Sequence, residues 1–187
     1  MNIDIGLFRF DLYTTFAIYL LVLEMELARL FFIPTAQSPF KPGGAASTPA
    51  ERLRLLRLAL AGETKCEIDE QEVRRGGVSY TIDTVRDYAA RHPGAELFYL
   101  VGADNVPQLP EWREANELAR QVTFIAIPRP GEPEALFPEP FRGRTLKGFP
   151  LGISSSQIRA RLKAGQEIAH LVPSAVAEAI RNNRLYL

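Results

Sequence analysis

The feature that most constrains the fold is a run of five apolar residues that ends at a glycine. Residues 97–101 (Leu-Phe-Tyr-Leu-Val) carry no charge and lead directly into Gly102-Ala103-Asp104. A strand that is apolar on both faces is typical of the buried centre of a parallel sheet. A second run of this kind, residues 122–127, follows a segment, 111–121, in which we predict a helix. Strands and helices that alternate in this way predict an α/β fold with helices on both faces of the sheet.

Local signals mark the ends of several other elements. The sequence Thr-Pro-Ala-Glu at 48–51 predicts a helix start with a capping box, and Pro173 predicts the start of the last helix. Residues 66–73 alternate in polarity and predict a strand. Ser79 and Thr81 are candidate caps for a helix that runs to about residue 91.

Composition limits which classes of ligand and which cellular compartment we expect for the chain. The chain has 187 residues, enough for one domain with a substantial core, and its 22 acidic and 22 basic residues balance. This balance disfavours binding to nucleic acid or to an anionic membrane. Cys66 is the single cysteine, which excludes an internal disulfide and suits the cytoplasm. The uncharged stretch 12–23 is shorter than the ~20 residues that cross a bilayer, so we predict no membrane anchor.

A stretch near the end of the chain has the features of an anion site. Three serines, residues 154–156, precede a segment in which Ile158 and Leu162 lie four residues apart on one helical face. The free backbone N–H groups of a helix start, together with the helix dipole, attract anions. Arg159 lies one turn inside, where its guanidinium group could bind the same anion. A capped surface helix without a ligand is the alternative interpretation.

Other polar residues follow the ends of predicted strands. Lys41 lies in the loop after strand 30–33, Asp104 follows strand 97–101, and Arg129 follows strand 122–127. In open parallel sheets, ligands bind outside the carboxyl ends of the strands, where the strand order reverses. We therefore expect these residues near a phosphate-bearing ligand. The alternatives are a capping role for Asp104, a solvated Lys41 and a turn closed by Arg129.

Five segments occur in an order and at a spacing that identify a family resemblance. They are 77–84 (Gly-Val-Ser-Tyr-Thr-Ile-Asp-Thr), 102–104 (Gly-Ala-Asp), 109–112 (Leu-Pro-Glu-Trp), 128–131 (Pro-Arg-Pro-Gly) and 153–159 (Ile-Ser-Ser-Ser-Gln-Ile-Arg). Each segment is a weak signal alone, but together they resemble bacterial nicotinate-nucleotide adenylyltransferase, of the nucleotidylyl transferase superfamily. The resemblance covers roughly residues 30–187.

This resemblance implies a fold, a reaction and a set of site residues. The fold is a Rossmann-like, doubly wound parallel sheet, here in a single domain over residues 1–187. The reaction is adenylyl transfer from ATP, accompanied by Mg²⁺, to nicotinate mononucleotide, which gives deamido-NAD and pyrophosphate in NAD biosynthesis. The residues implied for ATP binding are Gly102, Asp104, Ser155, Ser156, Arg159 and Lys41. The residues implied for binding the mononucleotide are Tyr80, Thr81 and Trp112, with Trp112 stacked on the nicotinate ring unless it is a plain core residue.

Residues 9–23 depart from the family pattern. The family has two glycines just after the first strand, followed by a His-x-Gly-His motif whose histidines contact the ATP phosphates. Here Thr14 and Ala17 stand at the histidine positions, and Arg9 stands where the nucleotide needs bare backbone. The chain's two histidines, His92 and His170, lie elsewhere and are predicted to be structural. Groups that stabilise transition-state charge contribute about 10²–10³ in rate each, so we predict that the chain as written is a poor catalyst or none, and its catalytic residues stay unassigned.

Two explanations for this departure remain open. One is a genuine loss that leaves a nucleotide-binding pseudoenzyme. The other, which we favour, is a reading-frame error over residues 9–23, because a one-base shift of the family codons gives residues like those at 11–14 and 17–19. Translating the gene's 5′ region in three frames tests this, and absence of the glycines and histidines from every frame would refute the error. A changed substrate, nicotinamide mononucleotide or phosphopantetheine, is a further alternative, although Trp112 and segment 79–81 argue against phosphopantetheine.

Overall fold

The strands form a parallel sheet. A computed structural model of the chain describes residues 4–8, 25–40, 47–128, 134–146 and 155–186. The strands in these residues are β1 (Asp4–Phe8), β2 (Arg29–Phe32), β3 (Cys66–Ile68), β4 (Glu96–Gly102), β5 (Thr123–Ile127) and β6 (Gly143–Thr145). They pair in the order β3-β2-β1-β4-β5-β6, and each of these pairings is parallel. This is the strand order of a Rossmann fold, so the predicted fold class is confirmed.

The described helices follow β2, β3, β4 and β6 in the chain. They are α1 (Pro49–Ala59), α2 (Gln71–Arg75), α3 (Thr81–Arg91), a 3-10 helix (Ala103–Glu111), α4 (Ala115–Gln121), α5 (Ser155–Lys163) and α6 (Ser174–Asn182). Helix α1 begins with the predicted capping box, in which the Glu51 N–H donates to the Thr48 hydroxyl oxygen at 3.2 Å and the Thr48 N–H donates to Glu51 at 2.7 Å. In the described part of the chain, no helix combines the length and the apolar character needed to span a membrane.

Alternate residues of the strands divide the core between the two faces of the sheet. On the first face, Tyr99 and Phe124 pack with α3, α4 and the 3-10 helix; we call this the first cluster, and it draws its buried residues from positions 31 to 141. On the second face, Leu100 and Ile125 pack against Leu56 of α1, in a second cluster that ends at Leu146. The alternation follows from the two-residue period of a strand. It explains why both strands are apolar at nearly every position.

A third cluster joins the C-terminal helices to the outer side of α1. Ile158 of α5 is fully buried and belongs to the same cluster as Leu55 of α1. The cluster also contains the inward residues of α6 and the segment before it: Ile168, Val172, Val176, Ala177, Ala179 and Ile180. Burial of these apolar side chains, worth about 25 cal/mol per Å² removed from water, is what positions α5.

Two of the predicted elements were wrong. Residues 71–73 belong to helix α2 rather than to a strand, and in that helix the buried Glu72 accepts a hydrogen bond from the Thr84 hydroxyl at 2.6 Å. The predicted helix over 111–121 is broken between the 3-10 helix and α4. The break occurs because Trp112 has an extended backbone and Glu114 has left-handed dihedral angles (φ 54°, ψ 43°).

Candidate functional site

The carboxyl end of β4 lies where the order of the sheet reverses. Strand β4 is flanked by β1 on one side and β5 on the other, and it ends at Gly102. A Cβ at Gly102 would lie 2.5 Å from an Asp104 carboxylate oxygen, so a side chain at this position would force that carboxylate to move from the end of the strand. That carboxylate accepts a hydrogen bond from the Asn105 amide at 3.2 Å. Gly102 and Asp104 therefore lie at the position where an α/β sheet binds its ligand, as the sequence predicts.

Tyr80 and Thr81 form the start of helix α3. Tyr80 is the N-cap residue but provides no side-chain cap, and Thr81 is the first helical residue. Thr81 is buried, with its hydroxyl oxygen 3.4 Å from the Tyr99 hydroxyl of β4. This contact joins the start of α3 to the first face of the sheet.

Ser79 does not cap α3, contrary to the sequence-based prediction. It is buried, and its hydroxyl oxygen accepts a hydrogen bond from the Ala36 N–H at 3.1 Å. Its own N–H donates to the Gln37 carbonyl at 2.8 Å. Ser79 therefore ties the loop that follows β2 to the residues just before α3. Nothing local in the sequence distinguishes this role from capping, because the partners lie more than 40 residues away.

Trp112 ends the 3-10 helix and packs among aromatic rings. Its ring centroid lies 5.9 Å from Tyr99 and 6.3 Å from Phe124, both in edge-on geometry, and 6.2 Å from Phe40. Its indole N–H is buried without a hydrogen-bond acceptor among the described residues. Tyr99 thus contacts both Thr81 and Trp112, which brings the three predicted mononucleotide residues, Tyr80 included, to one place. We call Tyr80, Thr81, Tyr99 and Trp112 the aromatic group.

Tyr99 is the residue of this group that the sequence reading missed. It lies in the apolar run of β4, where the pattern predicts only a core residue. Its ring is buried in the first cluster, while its hydroxyl reaches Thr81. The sequence did contain an indication of this role, since Tyr99 is the one residue with a polar side-chain group in the run 97–101. Buried tyrosine hydroxyls usually find a hydrogen-bond partner.

Charged residues surround the aromatic group on its solvent side. The Arg113 guanidinium lies over the Tyr80 ring, 4.5 Å from its centroid. Glu114, next along the chain, accepts hydrogen bonds from Arg86 through both carboxylate oxygens, and these bonds hold the pKa of Glu114 below its ordinary value. The Arg86–Glu114 pair also lines a cavity of about 510 Å³ that borders Trp112.

The predicted phosphate-binding residues lie at the start of α5. Ser155 and Ser156 are its first two residues, as expected, although their side chains fall outside what the structure describes. Arg159 is half-buried, one turn into the helix. We call Ser155, Ser156 and Arg159 the helix group. Lys41, Thr14, Ala17 and Arg129 lie outside the described residues.

The remaining histidine and metal predictions concern other parts of the fold. His92 is the C-cap residue of α3 and stacks on Tyr88 at 5.8 Å, which agrees with a structural role. His170 is exposed in the segment before α6. Among the described residues, no three or more His, Cys, Asp or Glu side chains come together in a way that could hold a metal ion.

Comparison with known proteins gives a consistent set of relatives. Residues 19–161 match the family described as cytidylyltransferase-like, a match that begins after Thr14 and Ala17. The chain is 38% identical over 165 residues to a probable nicotinate-nucleotide adenylyltransferase of Opitutus terrae, covering 87% of this chain and 85% of that protein. It is 36% identical over 162 residues to a protein of the same description from Geobacillus kaustophilus, covering 87% and 74%.

Solved structures agree with these relatives at the level of the fold. The structure of Plasmodium falciparum nicotinic acid mononucleotide adenylyltransferase superimposes with a TM-score of 0.75 at 14% identity, covering 98% of this chain and 97% of that one. A second structure of that enzyme gives a TM-score of 0.71. Nothing in these matches favours a non-catalytic protein. By sequence identity over most of its length, the chain belongs to the family of nicotinate-nucleotide adenylyltransferases, enzymes of NAD biosynthesis.

Proposed function

We propose that this protein transfers the adenylyl group of ATP to nicotinate mononucleotide. A phosphate oxygen of the mononucleotide forms a bond to the α-phosphorus of ATP, and the bond from that phosphorus to the bridging oxygen of the β-phosphate breaks. The products are deamido-NAD and pyrophosphate. The observation that carries the proposal is the aromatic group, whose side chains pack together on β4 beside the point where the sheet reverses its order.

This reaction needs alignment and charge neutralisation more than it needs a protein nucleophile. We assign the nicotinate ring to Trp112, with Tyr80 and Thr81 at its edge. We assign the adenosine side of ATP to Gly102 and Asp104, whose carboxylate would accept hydrogen bonds from ribose hydroxyls. The Plasmodium falciparum enzyme, whose fold this chain shares, has been solved in a complex with NaAD and in another with APC.

The helix group supplies the second half of the proposed site. We assign the ATP phosphates to Ser155, Ser156 and Arg159, because a helix start offers free N–H groups and a favourable dipole. Lys41 is proposed to reach the same phosphates from the loop after β2. The groups that stabilise the transition state are not among these assignments, since Thr14 and Ala17 stand at the family's histidine positions.

Nucleotidyltransferases generally use a divalent metal ion, and we propose Mg²⁺ bound to ATP as the form used here. Mg²⁺ keeps most of its water and takes substrate phosphate oxygens as ligands, so the protein need not provide a full cage. Its chemistry would be to neutralise phosphate charge. We expect the reaction in the cytoplasm, where the single Cys66 would stay reduced; burial raises the pKa of this thiol to about 11.

A turnover assay tests the proposal directly. The protein is incubated with ATP, Mg²⁺ and nicotinate mononucleotide, and released pyrophosphate is measured by a coupled enzyme assay. We expect slow release, because Thr14 and Ala17 stand at the family's histidine positions; the release should depend on the mononucleotide and should fall in Trp112→Ala at low mononucleotide concentration. The control omits the mononucleotide, which separates transfer from ATP hydrolysis. ATP binding without pyrophosphate release would refute the proposal and identify a pseudoenzyme.

A further inference from the structure

Arg113 brings a positive charge to the edge of the aromatic group. It follows Trp112 in the chain, and its guanidinium carbon lies 4.5 Å from the centroid of the Tyr80 ring. A cation over an aromatic face is attracted by the negative face of the ring, which fixes the position of the guanidinium group. Tyr80 adjoins Thr81, and Thr81 and Trp112 both contact Tyr99. The Arg113–Tyr80 contact therefore closes a ring of contacts around the proposed nicotinate site.

The charge of Arg113 is not fully offset by its neighbours. Glu114 is bound through both oxygens by Arg86, and the Arg113 Nε lies 3.7 Å from one of those oxygens. Because Arg86 binds both Glu114 oxygens at closer range, Glu114 offsets only part of the charge of Arg113; Asp83 and Glu117 act on Arg86 rather than on Arg113. The Arg113 side chain is 52% exposed, so it is open to a ligand in solution.

We infer that Arg113 is a specificity-determining residue that favours the acid form of the mononucleotide over the amide form. The inference rests on the proposed function, since it concerns the same mononucleotide site. The two forms have the same ribose and the same phosphate, and they differ in a ring carboxylate against a neutral amide. A fixed cation at the ring edge acts on that difference alone, because its attraction for the phosphate cancels in the ratio of the two affinities.

The size of the effect follows from the exposure of Arg113. A half-exposed cation in water is screened, so its contribution lies above that of most exposed ion pairs and below that of a buried hydrogen bond to a charged group. Arg113 is therefore expected to account for about a 3- to 10-fold preference for the acid form. The preference should weaken as salt rises, since the Debye length falls from about 10 Å at 0.1 M to about 3 Å at 1 M ionic strength.

Trp112 is the single tryptophan of the chain, so its fluorescence reports on the site without a label. We would titrate nicotinate mononucleotide and nicotinamide mononucleotide separately into the full-length protein at 50 mM salt. For Arg113→Gln we expect the affinity for the acid form to fall about 3- to 10-fold and the affinity for the amide form to change less than about twofold. For Arg113→Lys, which keeps the charge, we expect most of the preference to remain.

The matched control is Arg120→Gln. Arg120 is also an exposed arginine of this region, but it pairs with Glu117 on its own helix. We expect this variant to leave the ratio of the two affinities unchanged. An equal fall for both mononucleotides in Arg113→Gln, an unchanged ratio in that variant, or an equal change of the ratio in Arg120→Gln would each overturn the inference.

The outcomes for Arg113 and for the proposed function can be told apart. Pyrophosphate release by the unaltered protein, with a ratio that Arg113→Gln does not move, refutes the role of Arg113 alone. A ratio that depends on Arg113, without pyrophosphate release, refutes the transfer reaction but supports the specificity role. Failure of the unaltered protein to bind nicotinate mononucleotide refutes both.

Discussion

The aromatic group and the helix group are held in place by different means. The aromatic group is fixed by its own side chains: Tyr99 lies in the first cluster and directly contacts Thr81 and Trp112. The helix group is fixed at a distance, because Ile158 anchors α5 in the third cluster while the proposed ligand contacts come from the start of the helix. A binding surface made of core side chains is rigid for the same reason that the core is. One made of a helix start depends on the packing of the whole helix.

This difference predicts how each half of the site should respond to substitution. A change in the third cluster should act on ATP, and a change in the aromatic group should act on the mononucleotide. Of the three predictions that follow, the first two test this separation and the third tests what anchors α3, the helix that begins at Thr81; they begin with the largest expected free-energy change.

The largest effect is expected for Ile158→Ala. Ile158 is fully buried, and Ile→Ala substitutions in cores destabilise a protein by about 2–5 kcal/mol because they leave a cavity. Urea unfolding should show this loss, and the KM for ATP should rise more than the KM for the mononucleotide as α5 loosens. Ile158→Val is the control, with an expected cost of about 0.5–1.5 kcal/mol. An equal rise of both KM values would show that α5 does not serve one half of the site.

A smaller effect, measured on binding and separate from the packing that Trp112 contributes to the first cluster, is expected for Trp112→Ala. Stacking of a base on an aromatic side chain is worth about 1–3 kcal/mol, so the KM for the mononucleotide should rise by about tenfold or more. The KM for ATP should change less than about twofold, and Trp112→Phe should restore part of the loss. Steady-state kinetics with each substrate varied in turn provides the measurement. Equal effects on both substrates would remove Trp112 from its assigned role.

The smallest effect, a loss of folding stability, is expected when Asp69 is substituted. Its carboxylate accepts hydrogen bonds from Tyr88 and Arg91, near the C-terminal end of α3. Burial alone would raise the pKa of Asp69, but hydrogen bonds from Tyr88, Arg91 and Gln71 outweigh it and lower the pKa. The stabilisation is therefore present above the unfolded-state pKa of about 3.9 and is lost as the pH falls through the folded-state value. We expect the unfolding free energy of the unaltered protein to fall in that acid range.

The test compares urea unfolding of Asp69→Asn and the unaltered protein at pH 7 and at pH 3. Asp69→Asn should be less stable at pH 7, and the gap should narrow at pH 3. Glu96→Gln, at an exposed position at the start of β4, serves as a control for general charge effects. A gap that is the same at both pH values would mean that the carboxylate of Asp69 does not hold α3.

Sequence alone predicted those parts of the fold that depend on neighbouring residues. The strand expected at 97–101 appears as β4, and the capping box at Thr48 is formed as expected. These succeed because burial on both faces and the geometry of a helix start each leave a local pattern. The bend at Glu114 was not predictable in this way, because its left-handed backbone accompanies a salt bridge to Arg86, 28 residues earlier.

The same difference between local patterns and distant contacts explains which residues of the candidate site the sequence predicted. The sequence identified Tyr80, Thr81 and Trp112 through a family resemblance, and the structure brings them together. The sequence did not predict Tyr99, because its hydroxyl contacts Thr81 only when β4 lies beside the start of α3. It also assigned Ser79 to a cap, although both of its hydrogen bonds reach back to the loop after β2. In each case the partner is distant in sequence, and no spacing rule covers it.

The third cluster also determines which part of the fold is completed last during synthesis of the chain. A chain leaves the ribosome N-terminus first, and the other buried members of the cluster that contains Leu55 come from residues 158–180. The first two clusters end at residues 141 and 146, so their members have all been synthesised before Ile158 exists. Two further contacts to α1 and the residues before it use side chains that are synthesised even later: Asn183 is hydrogen-bonded to Arg54, and Tyr186 is hydrogen-bonded to Ser47. The outer face of α1 therefore stays open during most of translation, and the half of the site that rests on α5 is the last to be completed.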